Sequence, residues 1–310
     1  MIFRRKILLG GTPPSFNFDD VDCMFSLRKP EFTVEWTRAA LRLRRSSDND
    51  LKYIFFDNNG KISLNSPIAS SSLTPTATTL GTWVGSDDAF VTLWLAITPD
   101  NTVDGSKASG QGNSTRQPQF ITSGVINTIN GNPAVIFDGD DNLDTIAVSA
   151  LDSGNDQTIL TVSTNSISNG GVATIFTTNN DGGGGVDNAR IVMFNVRSTD
   201  NRFINVVAND GGIVTPYVLT YINSQEDTGN QKLHTMAKNG FDINGYYNGV
   251  FQDSNTFTGT YLNNNASMGA QVGDVTFLTG SIQEIIIYPT DKTSNLNEIN
   301  TNINDYYNIY

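Results

Sequence analysis

The chain has 310 residues, 38% hydrophobic and 16% charged, a balance that excludes a disordered protein and allows an ample core. The net charge of −12 excludes nucleic acid as the main partner, because that needs a basic footprint. A single cysteine, Cys23, excludes an intrachain disulfide and fits folding in a reducing cytoplasm.

Residues 1–22 read as an N-terminal arm, with a basic start followed by the aperiodic "GGTPPSFNFDD". In "MIFRRKILLGG" the apolar run Ile7–Leu9 is too short for the h-region of a signal peptide. Ten of the nineteen Lys and Arg fall in residues 1–52, beside seven of the 31 Asp and Glu. That segment is therefore about +3 and the remainder about −15, so an acidic neighbour, such as another copy of the chain, suits it. Free ends fray unless tied down, and both ends are expected to pack, against partners included.

From residue 23 onward a single domain, 23–310, is expected. "LRLRRSSDND" (41–50) alternates Leu41 and Leu43 with Arg42 and Arg44, as a half-buried strand requires, and then turns. Arginine forks pair well with carboxylates. The expected partners of Arg42, Arg44 and Arg45 are the chain's own aspartates or Glu284. Ser/Thr/Pro-rich residues 63–82 and polar residues 98–118 read as loops.

Strand signals then recur at about ten-residue spacing. They are "AVIFDG" (134–139), "QTILTVST" (157–164), "GVATIFTT" (171–178), "ARIVMFNV" (189–196), "RFINVVA" (202–208), "VLTYIN" (218–223), "NGYYNGVFQ" (244–252) and "GSIQEIIIYP" (280–289). Asn-Gly or Asp-Gly pairs at residues 59, 130, 138, 210, 239 and 248 mark tight turns. In "SNLNEINTNINDYYNIY", Leu296, Ile299, Ile303 and Tyr306/Tyr307 share one helical face, and Asn295 with Glu298 spells a capping box. The pattern predicts an all-β sandwich closed by a short C-terminal helix. No stretch reaches the roughly 20 apolar residues of a membrane span, so no membrane partner is expected.

Few residues offer catalytic chemistry. Glycoside hydrolysis needs two carboxylates flanking a bond, and no Glu-x-Asp-x-Glu strand occurs among the five glutamates, Glu31, Glu35, Glu226, Glu284 and Glu298. His234, the only histidine, sits in a strand-like run without a nucleophile nearby and reads as structural. Asp138, Asp140, Asp141 and Asp144 in "FDGDDNLD" offer the oxygens a Ca2+ ion takes. Their spacing is not that of an EF-hand, and a tight turn explains them as well. No other cofactor is expected. Trp83, Tyr246 and Tyr247 are candidate sugar platforms, since saccharide sites pair aromatic faces with Asn and Asp hydrogen bonds.

"MFSLRK" (24–29), "AALRLRRSSDND" (39–50), "DDAFVTLW" (87–94) and "QPQFITSGVINTINGNPAVIFDG" (117–139) together resemble a subgroup of the concanavalin A-like (laminin G-like) jelly rolls. That subgroup is related to the catalytic domain of α-L-arabinofuranosidase B and is common in bacteriophage virion proteins. Residues 133–143, 157–164, 245–251 and 277–309 resemble the fold more generally. After "FVTLW" relatives usually continue with a Tyr-Asp-Gln-Ser-Gly-type stretch, where this chain has "LAITPDNTVDG" (95–105). The resemblance implies a non-enzymatic structural protein of a virion, in the capsid or tail, made in the bacterial cytoplasm. Its partners would be other virion proteins, copies of itself in a homo-oligomer, and a host surface glycan. The alternative is a carbohydrate-binding or arabinofuranosidase-like hydrolase module acting on host polysaccharide.

Overall fold

A computed structural model describes residues 18–102, 107–146, 151, 156–165, 172–179, 191–197, 202–207, 217–220, 229–256, 265–270 and 276–310. The fold is an antiparallel β-sandwich with a C-terminal helix, as the sequence pattern predicts. The predicted turn at 210–211 and residues 1–17 of the arm lie outside the described residues.

One layer is organised by the closing strand, Thr279–Tyr288. Along one edge it pairs with two short strands in tandem, Cys23–Ser26 beside Glu284–Ile287 and Val135–Asp138 beside Thr279–Ile282. Along the other it pairs with Gln157–Asn165, which leads outward to Lys232–Asn239, Asp242–Tyr247 and Val250–Thr256. Gly280 suits the closest point of this layer, because a Cβ there would lie 2.2 Å from the Thr164 carbonyl oxygen.

The second layer holds Leu51–Ile54, Leu41–Arg45, Ala89–Trp94, Ser109–Gly110, Leu143–Ile146, Asn265–Met268, Val172–Asn179 and Ile191–Arg197 in succession. The layers are continuous through Gln119–Thr122, which pairs with both Ala89–Trp94 and Val135–Asp138. Strand alternation sends Phe25, Leu41, Leu43, Trp94, Ile285 and Ile287 into the core between the layers.

"EIIIY" in the closing strand is buried on both faces, which is why it reads as an unbroken apolar run. Ile285 and Ile287 face the inter-layer core; Ile286 and Tyr288 lie under the helix Leu296–Tyr307. The helix buries Leu296, Ile299, Ile303 and Tyr307, the predicted stripe. The capping box does not form. Asn295 ends a 3-10 turn in helical geometry, its side chain makes no cap, and Asp291 caps that turn instead through the Thr293 N–H at 3.0 Å. Asn130-Gly131 and Asn248-Gly249 form tight turns with positive φ at both residues. In the 232–247 hairpin Asn239 pairs with Asp242, so the turn residues are Gly240 and Phe241.

A buried ion pair ties the first strand, the closing strand and the helix together. Arg28 follows Cys23–Ser26, and its Nε and Nη2 donate to Glu284 Oε1 and Oε2 at 2.9 and 3.1 Å. The Ser26 hydroxyl donates to Oε1 at 2.7 Å, and Arg28 Nη1 donates to Asn302 Oδ1 of the helix at 2.7 Å. Tyr306, Tyr307 and Phe18 close over the guanidinium, 5.1 to 5.6 Å from ring centre to Cζ. Burial alone would lower the Arg28 pKa, but Glu284 beside it holds it above its ordinary value. Truncating either Arg28→Ala or Glu284→Ala strands a buried charge and should cost about 3–5 kcal/mol in denaturant unfolding. The double replacement Arg28→Met/Glu284→Leu should lose much less than the sum of the two.

Candidate functional site

Each arginine of the Leu41–Arg45 strand is held in the frame. Arg42 donates from Nε to Thr92 Oγ1 at 2.9 Å over the Tyr53 ring, and Arg44 donates from Nε to Gln117 Oε1 at 2.7 Å over Phe90. Arg45 grips both oxygens of Asp48, at 3.0 and 2.5 Å, and bonds to the Trp83 carbonyl. Those bonds bring the Asp48 carboxyl down to about 2. Arg45 thus meets an aspartate, while Arg42 and Arg44 meet neutral oxygens and Glu284 meets Arg28.

The three aromatic sugar candidates lie apart. Trp83, in the short helix Leu80–Val84, is 6% exposed; its Nε1 donates to Asp50 Oδ2 at 2.9 Å, and Arg45 covers its face. Half-buried Tyr247 packs toward the inter-layer core beside His234, ring centres 5.4 Å apart. Tyr246, its neighbour on the opposite face, meets Phe251 edge-on at 5.6 Å. His234 is fully buried; burial first, then Lys232, hold its pKa well below the ordinary range, which suits a neutral framework residue.

The aspartate group lies where Val135–Asp138 turns toward Leu143–Ile146. Asp138, Asp140 and Asp141 bring one oxygen each within 4.8 Å of one another, a donor set a hard cation accepts. Asp144 turns aside and accepts from Asn142 Nδ2 at 2.9 Å. The group also serves the turn: Asp141 Oδ2 accepts the Asp138 N–H at 3.1 Å, and Asp138 Oδ1 accepts the Asp140 N–H at 3.3 Å.

A cleft of about 1250 Å3 opens between residues 28–38, residues 55–60 and the C-terminal helix. It lies on the helix side of the closing strand, next to the Arg28–Glu284 pair. Half-buried Phe32, Phe56 and Tyr306 line it with Asp57, Asn58 and Asn59. The Tyr306 hydroxyl and the Trp36 indole N–H, both in lining residues, are buried and have no hydrogen-bond partner among the described residues. Burial chiefly pushes the Tyr306 pKa up to about 12, so its hydroxyl stays a donor. None of these cleft residues stands out in the sequence. "PEFTVEW" (30–36) alternates Glu31, Thr33 and Glu35 with Phe32, Val34 and Trp36 as a half-buried strand does, a signal that could have marked it, although the segment forms no strand.

No known family model matches the sequence, and no curated protein matches it. Solved structures do resemble the fold. An arabinofuranosidase complexed with arabinofuranosyl-α-1,2-xylobiose aligns over 91% of this chain at 14% identity and a TM-score of 0.53. A mutant GH54 α-L-arabinofuranosidase soaked with 4-nitrophenyl α-L-arabinofuranoside aligns over 90% at 14% identity and a TM-score of 0.52. In each case this chain spans 62% of the other. The likeness is one of fold, a concanavalin A-like sandwich, and it lends no support to a place on a virion.

Burial, and then its neighbouring aspartates, raise the Asp141 carboxyl to about 7. A carboxyl raised in the folded state stabilises below its unfolded pKa of about 4, and that stability fades as pH rises through 7. The thermal midpoint should therefore fall between pH 5 and pH 8 without added metal, and Asp141→Asn should flatten that fall. If the three aspartates hold Ca2+, millimolar Ca2+ should restore the midpoint at pH 8 in the parent but not in the variant.

Proposed function

We propose that this protein is a non-catalytic concanavalin A-like module that binds a glycan chain in the cleft beside the C-terminal helix. One observation carries the reading: half-buried aromatic faces, amide groups and carboxylate groups converge on one cleft. The volume suits an oligosaccharide. The sandwich shared with two arabinofuranosidases is consistent with this reading.

Glu284, the one glutamate in the closing strand, is occupied by Arg28 and Ser26, which favours binding over hydrolysis. The resemblance of residues 24–29, 39–50, 87–94 and 117–139 to a jelly-roll subgroup common in virion proteins points to a bacteriophage particle as the setting, where such a module would touch host surface polysaccharide.

A glycan array should show retention of a defined saccharide set, and prolonged incubation should release no reducing sugar. Phe32→Ala should weaken that binding roughly three- to tenfold, as loss of one aromatic contact implies, when measured well below the variant's melting temperature. Retention of no saccharide would overturn the reading, and sugar release that is lost with a cleft carboxylate would replace it with a hydrolase.

A further inference from the structure

We propose that this cleft, accepted as a glycan site on the reading above, discriminates by charge: it admits neutral saccharides and rejects those carrying carboxylates. The cleft lining carries three cations, Arg28, Lys29 and Arg38, but two of them are already committed. Arg28 is neutralised by Glu284, and Lys29 Nζ lies 2.5 Å from Glu35 Oε1. The third, half-buried Arg38, donates from Nε to the Asn101 carbonyl at 3.4 Å.

Against them stand Glu31, Asp57 and Asp305, none of which forms an ion pair among the described residues. These three come from three different elements: the segment after the first strand, the segment after Leu51–Ile54, and the C-terminal helix. Their negative potential therefore reaches the cleft from several sides. Asp57 is fixed in place, its Oδ1 accepting the Asn59 N–H at 2.8 Å and its Oδ2 the Ser63 hydroxyl at 2.6 Å.

Arg38 is the one lining cation without a carboxylate partner among the described residues, and the three carboxylates Glu31, Asp57 and Asp305 outnumber it. A uronate or sialyl group would enter a space whose uncompensated charge is negative on balance, with Arg38 alone set against three carboxylates. Hydroxyl-rich neutral sugars meet no such obstacle, and the amides of Asn58 and Asn59 in the lining offer hydrogen-bond partners to their hydroxyls.

The test uses the full chain on an array of matched neutral, uronate-bearing and sialylated oligosaccharides. Acidic members should bind at least tenfold more weakly than their neutral counterparts at 50 mM salt. The gap should narrow at 0.5 M salt, where charges are screened within a few ångströms. Glu31→Gln/Asp305→Asn replaces two exposed carboxylates and should narrow it at low salt, with neutral binding retained. Acidic members bound as tightly as neutral ones, or a gap indifferent to both salt and the double variant, would overturn the charge selection and leave the glycan site standing. Binding of no saccharide at all would overturn both.

Discussion

The Arg28–Glu284 pair is the constraint on which the remaining architecture depends. It joins residues 256 positions apart, and every nitrogen and oxygen of the two head groups has a hydrogen-bond partner. A desolvated pair of this kind adds little net stability over a well-packed apolar pair. Its contribution is one of specificity. Glu284 can be buried only where Arg28 and Ser26 reach it, so Cys23–Ser26 must lie beside Glu284–Ile287 and in no shifted register. Asn302 then sets the rotation of the helix, and Tyr306 and Tyr307 cover the guanidinium. The cleft inherits its position from that arrangement, because Tyr306 both covers the arginine and lines the opening.

Regular elements were legible because they obey simple periods. Leu41 and Leu43 alternate with arginines, and both leucines are fully buried. The helix stripe is likewise where the 3.6-residue period puts it. Partner choice was less legible. A strand with three arginines draws attention, yet Arg42 and Arg44 satisfy themselves on Thr92 and Gln117, neutral side chains brought near by the sheet. Glu284 reads as a paired glutamate, but its partner is a lone arginine in "SLRK" that nothing local distinguishes. Pairing across such sequence distance is a property of topology, which periodicity does not encode.

The same limit applies to the site. Trp83 is a large aromatic in a loop-rich region, and its indole and ring face are both occupied by Asp50 and Arg45. Phe32 and Trp36 lie in a segment that alternates like a strand but pairs with none, and they line one cleft with Phe56 and Tyr306. The failed capping box has a similar cause: Asp291, four residues earlier than Asn295, takes the first turn and pulls the chain into a 3-10 turn.

The closing strand Thr279–Tyr288 separates the two short strands on one edge from Gln157–Asn165 on the other. During synthesis the three lie without their common neighbour until residue 288 has left the ribosome. Their unpaired edges are then open to wrong pairings, within the chain or between chains. Cys23–Ser26, Val135–Asp138 and Gln157–Asn165 can therefore complete their pairing only once the closing strand has been made.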